Sequence, residues 1–178
     1  HIPAAWVTVL ALGWSMTHSV LYLRRRRIEH DHQAAAAAEI GLMFCVLATV
    51  SGSLWAKAMW GSYWNWDPRE TSIFFLLLVY AAYLALRSSI EQPERRARLA
   101  AIYSAVAFVS VPFLMFVVPR IYFSLHPDPI INPQGKVDMD PRIRIAFYAM
   151  LLGFSGLFFW VQALRVRVAR LEYRLDEI

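Results

Sequence analysis

The chain has 178 residues, 58% of them hydrophobic, with a mean hydropathy of +0.42 and a formal net charge of +5. An ordinary soluble domain is closer to about half apolar, so the composition excludes one; the length holds about four to six bilayer spans of ~20 residues and little else. The basic excess does not point to nucleic acid, because the charges fall in blocks between apolar runs, which is a topology signal.

Five apolar runs follow one another along the chain: Ile2 to Leu23, Ala34 to Ala56, Thr71 to Leu86, Leu99 to Phe123 and Ile145 to Leu164. Lipid cannot satisfy open backbone groups, so each run predicts a helix. The runs do not alternate as barrel strands do. The expected fold class is therefore all-α, a polytopic transmembrane bundle forming a single integral membrane domain over residues 1–178. Pro3 suits a first helical turn. The third run is short, and Arg87-Ser88-Ser89-Ile90 could lengthen it by a turn. Pro112 and Pro119 predict a kink in the outer half of the fourth. Pro127, Pro129, Pro133 and Pro141 mark a non-helical segment after it. Beyond Leu164, Val166, Leu171 and Leu175 recur at helical spacing among charges, which predicts a helix leaving the membrane surface. The chain starts at His1 without Met or a cleavable leader, so the start reads as a processed or trimmed end.

Charge orients the runs. Arg24 to Arg27, then Arg87, Arg95, Arg96 and Arg98, then Arg165, Arg167, Arg170 and Arg174 put twelve arginines on one side. Lys57, Arg69, Arg120, Lys136, Arg142 and Arg144 lie on the other. The side rich in arginine is expected to be cytoplasmic. The outer side then holds His1, a tryptophan-rich segment at 57–71 and a histidine-containing loop at 124–143.

The outer segment reads Trp60-Gly61-Ser62-Tyr63-Trp64-Asn65-Trp66-Asp67. Scattered Trp would suit an interfacial belt. A block this dense, with polar residues between, can form an apolar shelf with polar handles for a flat amphipathic ligand. Gly61 removes a side chain and lets a ring approach the backbone. Asp67 before Pro68, with Glu70 three residues on, is the pattern of a capped helix start. His1 and His126 each end a span near a proline; either alone is a bland interfacial histidine. Both share a side with the tryptophans, and neutral imidazole is a standard axial ligand of haem iron. Two such ligands would fill both axial positions, so haem would be held rather than used for catalysis. Arg69 and Arg120 are placed to pair with haem propionates, or simply to anchor the interface. His18 sits inside a span, where an ionisable group is a candidate by default. His30 and His32 are expected on an exposed charged loop. Cys45 lies in an apolar run and reads as a small buried hydrophobe.

Trp60 to Asp67 resembles the "WWD" segment of the haem-handling superfamily of cytochrome c maturation, and the rest of the chain is most similar to its CcmC haem-delivery family. The resemblance extends to His1-Ile-Pro-Ala-Ala-Trp6, Ala38 to Gly41, Ser51-Gly-Ser-Leu-Trp55, Glu94 to Arg98 and Val111-Pro112 through His126-Pro127. It implies that His1 and His126 ligate the iron of non-covalently bound haem b, and that Trp60, Gly61, Trp64, Trp66 and Asp67 hold the porphyrin. It implies a further span before His1, making six, and a place in the bacterial inner membrane with the haem site facing the periplasm. It implies partners: the ATP-binding-cassette subunits CcmA and CcmB, the small membrane subunit CcmD and the periplasmic haem chaperone CcmE. One departure stands at Pro68-Arg69-Glu70-Thr71. CcmC proteins more often carry Ala-Arg-Leu-Thr there, and Pro-Lys-Glu-Thr is the pattern of the related cytochrome c synthase, CcsA, a longer protein with additional membrane histidines.

The expected function is haem delivery without catalysis. The alternative is an enzyme, a haem lyase attaching haem to apocytochrome. A channel is weakest, since the spans offer few polar residues beyond Thr17, His18, Thr49, Ser51, Ser104, Ser110 and Gln162. The arginine asymmetry makes a first test. A cysteine placed at Gln134 is expected to react with an impermeant thiol reagent on intact cells, and one at Gln92 only after lysis; the reverse labelling would turn the topology over.

Overall fold

The computed structural model describes residues 1–126 and 139–176, and every regular element among them is helical. The elements are α1 (Ile2–Arg25), α2 (Ile28–Trp60), α3 (Pro68–Ser88), α4 (Pro93–Ala107), α5 (Ser110–Pro112), a π-helical turn (Phe113–Val117), α6 (Val118–Ile121) and α7 (Pro141–Asp176). Five helical stretches are long and apolar enough to span a bilayer; the fourth runs from Pro93 through Ile121. The expected all-α bundle with five spans is what the chain forms. Pro127, Pro129, Pro133, Gln134 and Lys136 lie outside the described residues.

α1 and α2 form the frame. Lipid supplies no hydrophobic drive between spanning helices, so close contact between small residues must replace it. Ala37, Ile40 and Ala48 of α2 share one core cluster with Ala4, Val7 and Ala11 of α1, and Ala38 and Cys45 share another with Leu12. A Cβ on Gly41 would meet Leu12 Cδ2 at 2.8 Å. Leu76, Tyr80 and Tyr83 of α3 and Ala100 of α4 complete one core cluster; Phe158 of α7 joins a second around Phe44.

Most of the polar residues singled out within the spans bond inside the bundle. Ser15 Oγ donates to Ala34 O at 2.8 Å and lies 3.2 Å from Ser104 Oγ, joining three helices. Gln162 Nε2 donates to Gln33 O at 2.8 Å. Thr17, Thr49, Ser51 and Ser110 bond back to carbonyls of their own helical segments.

The prolines do break the fourth span, but over a longer stretch than a kink. Pro112 has no N–H to give to Phe108 O, and Val111 N donates there instead, at 3.0 Å. α4 has already ended at Ala107. Downstream, Val118 N–H reaches back five residues to Phe113 O, and the Arg120 guanidinium donates to Phe116 O at 2.6 Å. The widened turn sits between the two prolines, and such turns often mark functional sites.

Two sequence expectations are corrected at the arginine-rich end. His30 and His32 are not on a loop: α2 begins at Ile28, and only Arg26 and Arg27 separate it from α1. Nδ1 of His30 lies 3.2 Å from Nδ1 of His18, and His32 packs edge-on against Tyr173. Arg87 is not a free surface charge. Its two terminal nitrogens reach the two oxygens of Asp31 at 2.6 and 2.9 Å, with side-chain exposures of 14% and 5%. Two desolvated charges paired this way are strongly interdependent. Arg87→Ala is expected to cost about 3–5 kcal/mol of stability, measured by reversible unfolding in mixed micelles, because Asp31 is left buried and unpaired. The double replacement Arg87→Ala with Asp31→Ala should recover most of the loss.

Candidate functional site

The segment between α2 and α3 is irregular but tightly tied. α2 ends on Gly61, whose φ of 78° is left-handed and lets its N–H bond Lys57 O. This turn, not the approach of a ring, is what the glycine provides: a Cβ there would meet nothing within 4 Å. Lys57 Nζ donates to Gly61 O at 2.8 Å and lies 5.3 Å from the Tyr63 ring centre. Trp66 also has a positive φ, 57°, a costly conformation for a bulky residue. The next residue holds it in place. Asp67 caps α3 in a full capping box with Glu70, as the sequence pattern predicts. Glu70 Oε2 also accepts from Asn65 N at 2.7 Å.

Asp67 does more than cap. Its carboxylate accepts from Arg69 N at 2.9 Å, from Leu125 N at 2.6 Å, from Ser124 Oγ at 2.9 Å and from His126 Nδ1 at 2.9 Å. Burial alone would raise this carboxyl, but the bonds from Arg69, Leu125, Ser124 and His126 together hold it below the ordinary aspartate value. Burial likewise pushes the His126 imidazole below its usual value, against the opposing pull of Asp67, with Arg69 adding to the lowering.

His126 and His1 both line one cavity of about 460 Å³ at the end of the bundle opposite Arg87. α1 supplies His1 and Trp6, α2 supplies Gly52 and Trp55, α3 supplies Arg69 and Ser72, the π-turn supplies Met115, and α6 supplies Arg120. The size is that of a small-molecule or cofactor pocket. Trp55 joins the two histidines: its ring lies 5.6 Å from that of His1 and nearly parallel to that of His126, centre to centre 5.9 Å. The Ser72 hydroxyl is buried on the cavity wall and has no hydrogen-bond partner among the described residues.

The structure gathers most of the residues expected at the site, in unequal roles. Trp64 lines the cavity. Trp60 meets His126 edge-on at 4.8 Å. Trp66 is 65% exposed and packs edge-on against Trp64 and Phe74. With Trp64 and Trp66 at 89° to each other, the tryptophans do not share one flat shelf. His18 pairs with Trp14 and His30 elsewhere and does not line the cavity. Sequence reasoning missed Trp6, Trp55, Gly52 and Met115 as site residues. Thr49, Gly52 and Ala56 recur at helical spacing with Trp55 beside them, a small-residue face ending in an aromatic, and that was the available signal. Among the described residues no group of three or more His, Cys, Asp or Glu is arranged for a bare metal ion.

The fold and cavity define a multi-pass helical membrane protein with an aromatic-lined cavity, walled by two histidines, at one end. The chain belongs to the CcmC family, Heme exporter protein C, whose model it matches over residues 1–177. It is 35% identical over 158 residues to Heme exporter protein C of Bradyrhizobium diazoefficiens, covering 89% of this chain and 60% of that protein. It is 30% identical to Heme exporter protein C of Paracoccus denitrificans, covering 94% of this chain and 69% of that one. It is also 34% identical over 106 residues to the cytochrome c biogenesis protein CcsA of Spinacia oleracea, covering 59% of this chain and 32% of that protein.

The Asp67 cluster makes a local prediction. Asp67→Ala is expected to cost about 1–2 kcal/mol through the lost cap and to release the 124–126 segment. Hydrogen exchange should speed up at the Leu125 and His126 amides and leave α1 unchanged.

Proposed function

We propose that the cavity takes up haem b non-covalently, with His1 and His126 as its axial ligands, and that the protein hands this haem on for c-type cytochrome maturation. The single observation that carries the reading is the convergence of these two imidazoles on one aromatic cavity, with His126 hydrogen-bonded to Asp67. A neutral imidazole is the form that binds iron. Trp6, Trp55 and Trp64 offer apolar walls, and the unpartnered Ser72 hydroxyl is a polar group a ligand would satisfy. Arg120, exposed at the cavity, and Arg69 are suited to the propionates. Bound haem supplies an iron with two ligand positions; the chain's part is to hold it, exclude water and release it.

The names of the relatives support delivery over catalysis, and on this reading the protein acts without forming a covalent bond to haem. The cavity faces the periplasm, the arginine-rich end faces the cytoplasm, and the membrane is the bacterial inner membrane. The recipient is the haem chaperone CcmE, and the neighbours are CcmA, CcmB and CcmD. The similarity to CcsA, together with Pro68-Arg69-Glu70-Thr71, keeps one other reading, a haem lyase.

The test is the absorption spectrum of the purified, haem-loaded protein. A six-coordinate low-spin spectrum is expected, altered by either His1→Ala or His126→Ala. Trp64→Ala or Trp55→Ala should weaken haem retention while the protein stays membrane-inserted. An unchanged spectrum in both histidine variants would move ligation elsewhere. Covalent attachment of haem to an apocytochrome by this protein alone would favour the lyase.

A further inference from the structure

Asp67 sits where it can do more than shape a loop. Arg69 N, Leu125 N and Ser124 Oγ all donate to the Asp67 carboxylate, which accepts from His126 Nδ1 in the same way, so Nδ1 carries the proton. The lone pair available to a metal is then on Nε2. The carboxylate is itself fixed: it is 4% exposed, bonded by Arg69 N, Leu125 N and Ser124 Oγ, and its own N–H is held by Glu70 Oε2 at 3.3 Å. The ring bonded to it inherits that rigidity. A carboxylate on the far nitrogen also raises the basicity of the ligating one, and its loss typically costs about ten- to a hundred-fold in metal affinity.

His1 has a different setting. It lies over Gly52, whose Cβ position is 3.7 Å from His1 Cγ, and beside the Trp55 ring. Glu70, the other carboxylate on the cavity, is engaged by Asn65 N and Asp67 N. Among the described residues, His1 is oriented by packing.

Resting on the haem-binding reading above, we infer that Asp67 is the positioning residue of His126 and, since no described side chain plays that part for His1, makes the two imidazoles unequal toward a metalloporphyrin, His126 being the retained ligand and His1 the exchangeable one. A carrier with one firm and one yielding ligand can keep its cargo while a recipient's donor replaces the yielding side. The iron–His1 bond breaks and the recipient's bond forms, with no electron transferred.

The experiment uses the purified haem-loaded protein. Asp67→Asn keeps a good helix cap but removes the charge. It is expected to shift the haem reduction potential positive and to speed haem loss to apomyoglobin by about ten-fold. His126→Ala should lose haem about ten-fold faster than His1→Ala. In the ferrous state, the iron–histidine stretching band should be higher in His1→Ala, where His126 remains, than in His126→Ala, where His1 remains. That last comparison leaves Asp67 intact and decides the matter even where Asp67→Asn does not accumulate. Equal bands and equal haem loss in the two histidine variants would overturn the inequality. An unchanged potential in Asp67→Asn would overturn the positioning role. In both cases histidine ligation would stand; it falls only where neither histidine variant alters the spectrum.

Discussion

One buried carboxylate carries the outer architecture. Asp67 starts α3, holds the residue after the left-handed Trp66, and gathers the Ser124–His126 segment, 57 to 59 residues further along the chain. Irregular backbone near a membrane survives only where its polar groups are satisfied inside the protein. Here a single side chain satisfies two amides, a hydroxyl and an imidazole. Such a cluster is worth more than its separate bonds, since each donor lost leaves the carboxylate less well compensated. The tryptophan-rich segment keeps its shape, and His126 its place, for the same reason.

The cavity wall opposite α2 follows from a different constraint. Proline at 112 and at 119 denies the helix two of its hydrogen bonds, and the intervening residues respond by widening to a π-turn. The widened turn brings Leu114, Met115 and Phe116 to the cavity. The Phe116 carbonyl of this turn accepts from the Arg120 side chain, which also lines the cavity. Backbone repair and pocket formation are thus one arrangement, not two.

Much of this was legible in the sequence. Span number, the Asp67–Glu70 cap, the proline break and the shared end of His1, Trp64 and His126 all follow from local pattern and charge placement. The unread parts depend on the third dimension. Asp31 and Arg87 are 56 positions apart and each looks like a surface charge until α2 and α3 are set side by side. His18 and His30 look unrelated until the hairpin between α1 and α2 closes within two residues. Trp55 reads as one more interfacial aromatic, and only its neighbours make it the ring between two histidines. The second bond of Asp67, to a loop distant in the chain, has no local signature, because its capping role already accounts for the residue type.

The Asp31–Arg87 pair has a mechanical consequence. It rivets α2 to α3 at the end remote from the cavity, where the charges cannot part without exposing each other to an apolar surround. At the cavity end the same helices are linked through the loop of tryptophans and by side chains that meet edge to edge. The helix pair is thus fastened at both ends, by a buried ion pair at one and by the Asp67–Glu70 capping network at the other. Two fastenings set the angle between α2 and α3, and with it the width of the cavity that both helices help to wall.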